Sequence, residues 1–131
     1  MKCHTLEGGD VQAGFSWIIT PHGGAAVLSL SGELDLATAA EVRHCMAEAI
    51  ASTVPPRVVV DLKGVAFCDS SGLSELLAAL SGAEAAGGAL VLCEVHPRIK
   101  RVLNVTGLNR RFQTYDTVHE AVAALPQPVV S

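Results

Sequence analysis

No apolar run in the sequence approaches the roughly 18 residues of a membrane-spanning helix; Ala89 to Cys93 is typical of those present. The opening stretch, MKCHTLEGGD, lacks the hydrophobic segment of a secretory signal. Charged residues are scarce at 17% while half the chain is hydrophobic, which predicts a packed core and not disorder. The four cysteines, Cys3, Cys45, Cys68 and Cys93, form no C-x-x-C pair, and no histidine lies at zinc-ligand spacing from them. Free, mostly buried thiols in a reducing cytosol are the simplest reading, with no metal and no cofactor expected. There is no G-x-x-x-x-G-K-S/T phosphate loop and no G-x-G-x-x-G fingerprint. A nucleophile elbow is also missing, because Gly72-Leu73-Ser74 is followed by Glu75 and Leu76.

What is present is acidic and short. The net charge is −4 and the pI about 5.6. An acidic surface repels phosphate backbones, which argues against nucleic acid and suits a partner with a basic patch. The 131 residues contain no linker and no internal repeat, so one domain is expected. Residues 1–13 lack periodicity and read as a loose leader, residues 14–125 as the folded domain, and residues 126–131 as a frayed tail.

Two strands open the domain. Phe15 to Thr20 is aromatic and β-branched, Pro21-His22-Gly23-Gly24 is turn chemistry, and a second strand starts at Ala25. Their short link predicts an antiparallel hairpin. The period then changes. Val42, Cys45, Met46, Ala49 and Ile50 mark one face of a helix, with Thr38 and Glu41 at capping-box spacing. Pro55-Pro56 leads into an apolar strand from Arg57 to Leu62, as expected where both faces are covered. Leu73, Leu76, Leu77 and Leu80 give a second helix from about Ser70 to Ala86. Strand ALVLCE, a third helix from Pro97 to near Gly107, a short RFQTYD strand and a fourth helix capped by Thr117 complete the order. Strands alternating with helices predict an α/β fold with a mixed sheet of four to five strands and an antiparallel edge hairpin.

Function in open α/β sheets gathers at the carboxyl ends of parallel strands. Two junctions qualify: Gly32-Glu33-Leu34-Asp35, and Phe67-Cys68-Asp69-Ser70-Ser71-Gly72-Leu73. An acid and two hydroxyls before a helix are ordinary capping chemistry. The same place tolerates a phosphate, because a helix N-terminus stabilises an anion. Asp35 and Asp69 are also a candidate carboxylate pair for acid–base work, although no pocket is legible for a substrate. Arg98, Lys100 and Arg101 read as a solvated helix face.

The two junctions together, LSGELDLATA and VVVDLKGVAFCDSSGL, resemble the STAS domain, and more narrowly the bacterial anti-sigma-factor antagonists. The resemblance runs from about Phe15 to Leu125. It implies a mixed sheet with about four helices packed on one face. It also implies a partner switch. The unphosphorylated antagonist binds an anti-sigma factor that is also a serine kinase, and a sigma factor is released. The kinase uses ATP to phosphorylate the serine of D-S-S/T-G, which breaks the complex, and a serine phosphatase restores it. That serine maps to Ser70. Asp69, Ser71 and Gly72 match the rest of the motif, and Asp35 matches an acidic residue near the phospho-acceptor and the partner surface. The expected protein is a cytoplasmic binding module and not an enzyme, without nucleic-acid or membrane partners. A STAS module in another signalling complex or a transporter-associated assembly is the alternative, and a phosphatase or esterase the more distant one.

Overall fold

A computed structural model describes residues 5–126. Strands β1 (Leu6–Asp10), β2 (Phe15–His22) and β3 (Ala25–Leu34) precede helix α1 (Ala39–Ala51). Then come β4 (Arg57–Cys68), α2 (Ser70–Ala85), β5 (Ala89–Cys93) and α3 (Pro97–Thr106). A 3₁₀ turn at Leu108–Arg110, β6 (Thr114–Tyr115) and α4 (Val118–Ala124) follow.

The strands form one sheet in the order β1-β2-β3-β4-β5-β6. The first three pair antiparallel, and β3 through β6 pair parallel. The expected β2–β3 hairpin is therefore present, but it is not the edge. Six strands replace the expected four to five because part of the supposed leader is a strand. Residues Leu6–Asp10 add to β2, with Gly8 facing Trp17 and Asp10 facing Phe15. The sequence LEGGD carries no apolar alternation, which is why it reads as coil. Its two glycines allow it to lie there: a Cβ on Gly8 would fall 2.7 Å from the Trp17 ring, and one on Gly9 would fall 2.8 Å from the Ser16 Cα. The frayed tail expected at 126–131 lies, apart from Pro126, outside the described residues.

Strand alternation divides the core in two. Val58, Val60 and Leu62 of β4 join Ala26, Leu28 and Leu30 of β3 against α1, α2 and α3. Val59 of β4, with Ala25, Val27, Val91 and Cys93, faces Ala121, Val122 and Leu125. So three helices cover one face and α4 covers part of the other, which corrects the expectation of all helices on one face. The continuous apolar run of β4 is explained by this double cover.

Helix starts follow the sequence with one exception. Thr117 accepts from the Glu120 amide at 3.1 Å, as its spacing predicts. Thr38 makes no such cap. Its hydroxyl turns back to the end of β3, and Glu41 instead accepts from the Trp17 indole at 3.1 Å. A long-range partner has taken the carboxylate that the local pattern assigned to a capping box.

Candidate functional site

Strands β3 and β4 end in register, with Glu33 beside Phe67 and Leu34 beside Cys68. The amide of Asp69 donates to the carbonyl of Leu34 at 2.9 Å. Both junctions singled out in the sequence therefore sit side by side at one rim of the sheet.

The turn into α2 assigns a different task to each residue of the Asp69–Gly72 run. Asp69 is the N-cap; its Oδ1 accepts from the Gly72 amide at 3.1 Å. Capping thus falls to Asp69 and not to Ser70, which becomes the first helical residue. Ser70 is exposed, and its hydroxyl has no hydrogen-bond partner among the described residues. Its carbonyl accepts from the Ser74 hydroxyl at 2.9 Å. Ser71 is half-buried. Gly72 is buried, and a Cβ there would lie 2.7 Å from the Leu34 Cβ and closer still to its carbonyl oxygen. Gly72 is needed so that the start of α2 can press against the end of β3.

The β3–α1 loop is built around a buried hydroxyl. Thr38, 1% exposed, donates to the Glu33 carbonyl at 2.8 Å and accepts from the Asp35 amide at 3.0 Å. Asp35 answers by accepting from the Thr38 amide at 3.1 Å. Asp35 is half-buried, so one carboxylate oxygen organises the loop while the residue still reaches the surface. Sequence reading saw Thr38 only as a helix cap. Nothing short of the loop geometry reveals that it ties the strand end to Asp35.

Two apolar side chains at this rim were also missed. Leu36 is 78% exposed and Phe67 46% exposed. Leu36 follows Asp35, and Phe67 lies beside Glu33, one residue before β4 ends. The signal for Phe67 was present in the stretch FCDSSGL, but irregularities in the β3–β4 register between Ser29 and Ser31 and between Gly32 and Glu33 hide which face it takes.

The electrostatics are one-sided. No Lys or Arg occurs from residue 3 to 42, or from 64 to 97. Both loops of the rim therefore carry acids without a cation of their own. Cys68 lies beneath, and burial, with Asp69 adding repulsion, pushes its thiol up to about 12. It stays protonated at neutral pH and is a poor nucleophile.

Three cavities lined by described residues lie elsewhere. The largest of the three, about 590 Å³, is bordered by Glu7, Ser16, Trp17, Ile18 and Ser31 on β1–β3. None includes Asp35 or residues 69–72. Among the described residues no group of three or more His, Cys, Asp and Glu side chains could hold a metal, and no helix is long and apolar enough to cross a membrane. The rim presents an exposed hydroxyl without a partner among the described residues, acids and two exposed apolar side chains. Such a surface suits contact with a macromolecule better than enclosure of a small substrate.

Comparison with known proteins agrees with this architecture. The STAS domain family model matches residues 16–121. The anti-sigma F factor antagonist of Paenibacillus polymyxa is 36% identical over 104 residues, covering 79% of this chain and 89% of that protein. The anti-sigma-F factor antagonist RsfB of Mycobacterium tuberculosis is 34% identical over 110 residues, covering 82% and 86%. Among solved structures, an anti-sigma factor antagonist from Mycobacterium paratuberculosis superposes with a TM-score of 0.75 at 29% identity, covering 85% of this chain and 93% of that one. The chain belongs to the STAS domain family.

Proposed function

We propose that the protein is an anti-sigma factor antagonist controlled by phosphorylation of Ser70. Its unmodified form binds an anti-sigma factor that is also a serine kinase, and so frees a sigma factor in the cytoplasm. The kinase transfers the γ-phosphoryl group of ATP to the Ser70 oxygen, which loses its proton, and ADP departs. A serine phosphatase removes the group again. The chain itself performs no catalysis. Its anti-sigma partner is suggested by what its relatives are named for.

The observation that carries this reading is the free, exposed hydroxyl of Ser70 at the first position of α2. Phosphate there adds about −1.5 to −2 of charge. The amides of the first helical turn and the helix dipole tolerate it, so the fold should hold. The partner sees something else. Leu36 and Phe67 provide exposed apolar area at the rim, and neither rim loop carries a cation of its own to neutralise a dianion. Burying an unpaired charge in an interface costs several kcal/mol, enough to separate an ordinary complex.

The test uses the cognate anti-sigma kinase with ATP. Phosphopeptide mapping should find phosphate on Ser70, and the phosphorylated protein should release the kinase. Ser70→Ala should bind persistently, and Ser70→Glu should bind weakly while melting near wild type. Phosphate confined to Ser71, Ser74 or Thr38 would refute the assignment. Equal affinity of the two forms would refute the charge switch.

A further inference from the structure

Basic charge in this acidic protein is concentrated in one place. Five of the nine Lys and Arg residues, Arg98, Lys100, Arg101, Arg110 and Arg111, fall within residues 98–111, and no Asp or Glu occurs from 95 to 115. The rest of the chain therefore holds four cations against thirteen acids, a net −9. All five are exposed residues of α3, the 3₁₀ turn and the position that follows it. Arg111 is engaged, donating to Glu84 at 3.2 Å. Among the described residues the other four make no salt bridge.

The same face has shape. Helix α3 buries Ile99 and Leu103, which turns Arg101 and Val105 outward; Val105 is 80% exposed. A pocket of about 150 Å³ opens where α3, the turn and β6 meet. Lys100, Asn104, Asn109 and Thr114 give it hydrogen-bond donors, and Leu103 and Phe112 give it an apolar floor.

We propose that this face is a second docking surface, for an acidic extended segment of a partner protein, with one carboxylate side chain seated in the pocket. Charge complementarity selects an anion, and the pocket selects a small one on an aliphatic stem. A single-stranded nucleic acid would need exposed aromatic platforms, whereas Phe112 is only 3% exposed and Tyr115 is half-buried, and a duplex would be repelled by the net −9 of the rest of the chain. An anionic bilayer would need apolar side chains to insert. Helix α3 exposes a single large apolar side chain, Val105, with Ile99 and Leu103 turned inward, and the net −9 elsewhere would be repelled. No residue of this surface belongs to the Ser70 rim, so its occupancy is independent of the phosphorylation reading.

Fluorescence anisotropy of a labelled Glu/Asp-rich peptide with one central leucine, titrated with the full chain, tests this. Saturable binding should weaken with salt and be absent for the matching Gln/Asn peptide. Lys100→Glu should reduce affinity by at least about tenfold. Asn104→Asp, nearly the same size, should do the same by placing a like charge in the pocket. Lys63→Glu, an equal charge change on β4, and Ser70→Glu should leave binding unaltered. Absence of saturable binding would overturn the proposal, as would an equal loss with Lys63→Glu. So would tighter binding to phosphatidylglycerol vesicles or duplex DNA. Sedimentation showing that the basic face instead joins two copies of the chain would overturn it too.

Discussion

Replacing Gly72 with alanine tests whether the α2 start is held against β3 by close backbone approach. The new Cβ would lie 2.7 Å from the Leu34 Cβ, and nearer to the Leu34 carbonyl oxygen. Ordinary carbon contacts are about 3.5–4.0 Å, so the two segments must part by roughly 1 Å. Neither obstacle is the end of a flexible side chain. Leu34 is fully buried, and its carbonyl is already bonded to the Asp69 amide. Overpacking of this kind costs about 1–3 kcal/mol. For a domain of this size each kcal/mol moves the melting temperature by roughly 3–4 °C, so Gly72→Ala should melt about 3–12 °C below wild type. Gly82 is the matched control. It lies in the same helix, but a Cβ there would meet only the Ile50 Cδ1, at an ordinary 3.8 Å. Gly82→Ala should therefore stabilise by about 0.4–1 kcal/mol through helix propensity and a less flexible unfolded chain. Thermal melts and urea midpoints of both variants give the answer. If Gly72→Ala melts at or above wild type, or both substitutions shift stability the same way, the close-approach reasoning is wrong.

The buried Thr38 hydroxyl should be worth about 1–3 kcal/mol, because Thr38→Val strands the Glu33 carbonyl and the Asp35 amide; Thr38→Ser should retain most of it in urea unfolding. Alkaline pH should destabilise the fold under reducing conditions. Burial, the largest cause in each case, pushes the Cys45, Cys68 and Cys93 thiols from 9.0 to about 12, so between these values the folded state keeps protons that the unfolded state has lost. Stability should be fully present below about pH 9 and decline as pH rises above it; a urea midpoint unchanged from pH 8 to 10.5 would contradict this. Leu36→Asp and Phe67→Asp should melt near wild type yet weaken binding of the anti-sigma kinase proposed as partner, and calorimetric titration with unchanged affinity would remove both from the proposed interface.

Much of the fold was legible because the strongest signals were local. The β2–β3 hairpin and helices α1 to α4 follow from turn residues and 3.6-residue spacing, and α2 ends within a residue of its predicted stop. The misses have a common origin in contacts distant along the chain. Strand β1 exists because Gly8 leaves room for Trp17, which no property of LEGGD announces. Position α4 on the sheet follows from Val59 facing away from Val58 and Val60, an alternation that an unbroken apolar run conceals. At the site, Asp69 and Ser70 were identified as types, but which of them caps could be decided only from the direction of the Asp69 carboxylate.

That direction bears on which hydroxyl at the rim can accept charge without loss. Thr38 is buried, and its hydroxyl is used twice, so phosphate there would break the β3–α1 loop. The Ser74 hydroxyl is bonded to the Ser70 carbonyl, and modifying it would remove that bond. Ser71 is half-buried and would have to bring a dianion partly out of water. Ser70 alone of the four combines exposure with a hydroxyl free of partners among the described residues. It is free because Asp69 has already satisfied the Gly72 amide, and because Gly72 lets the helix begin close enough for the Asp69 amide to reach Leu34. The neighbours of Ser70 thus perform the structural tasks that a serine at a helix start would otherwise perform. Charge added to its oxygen perturbs the surface and leaves every hydrogen bond of the turn in place, the property a reversible switch requires.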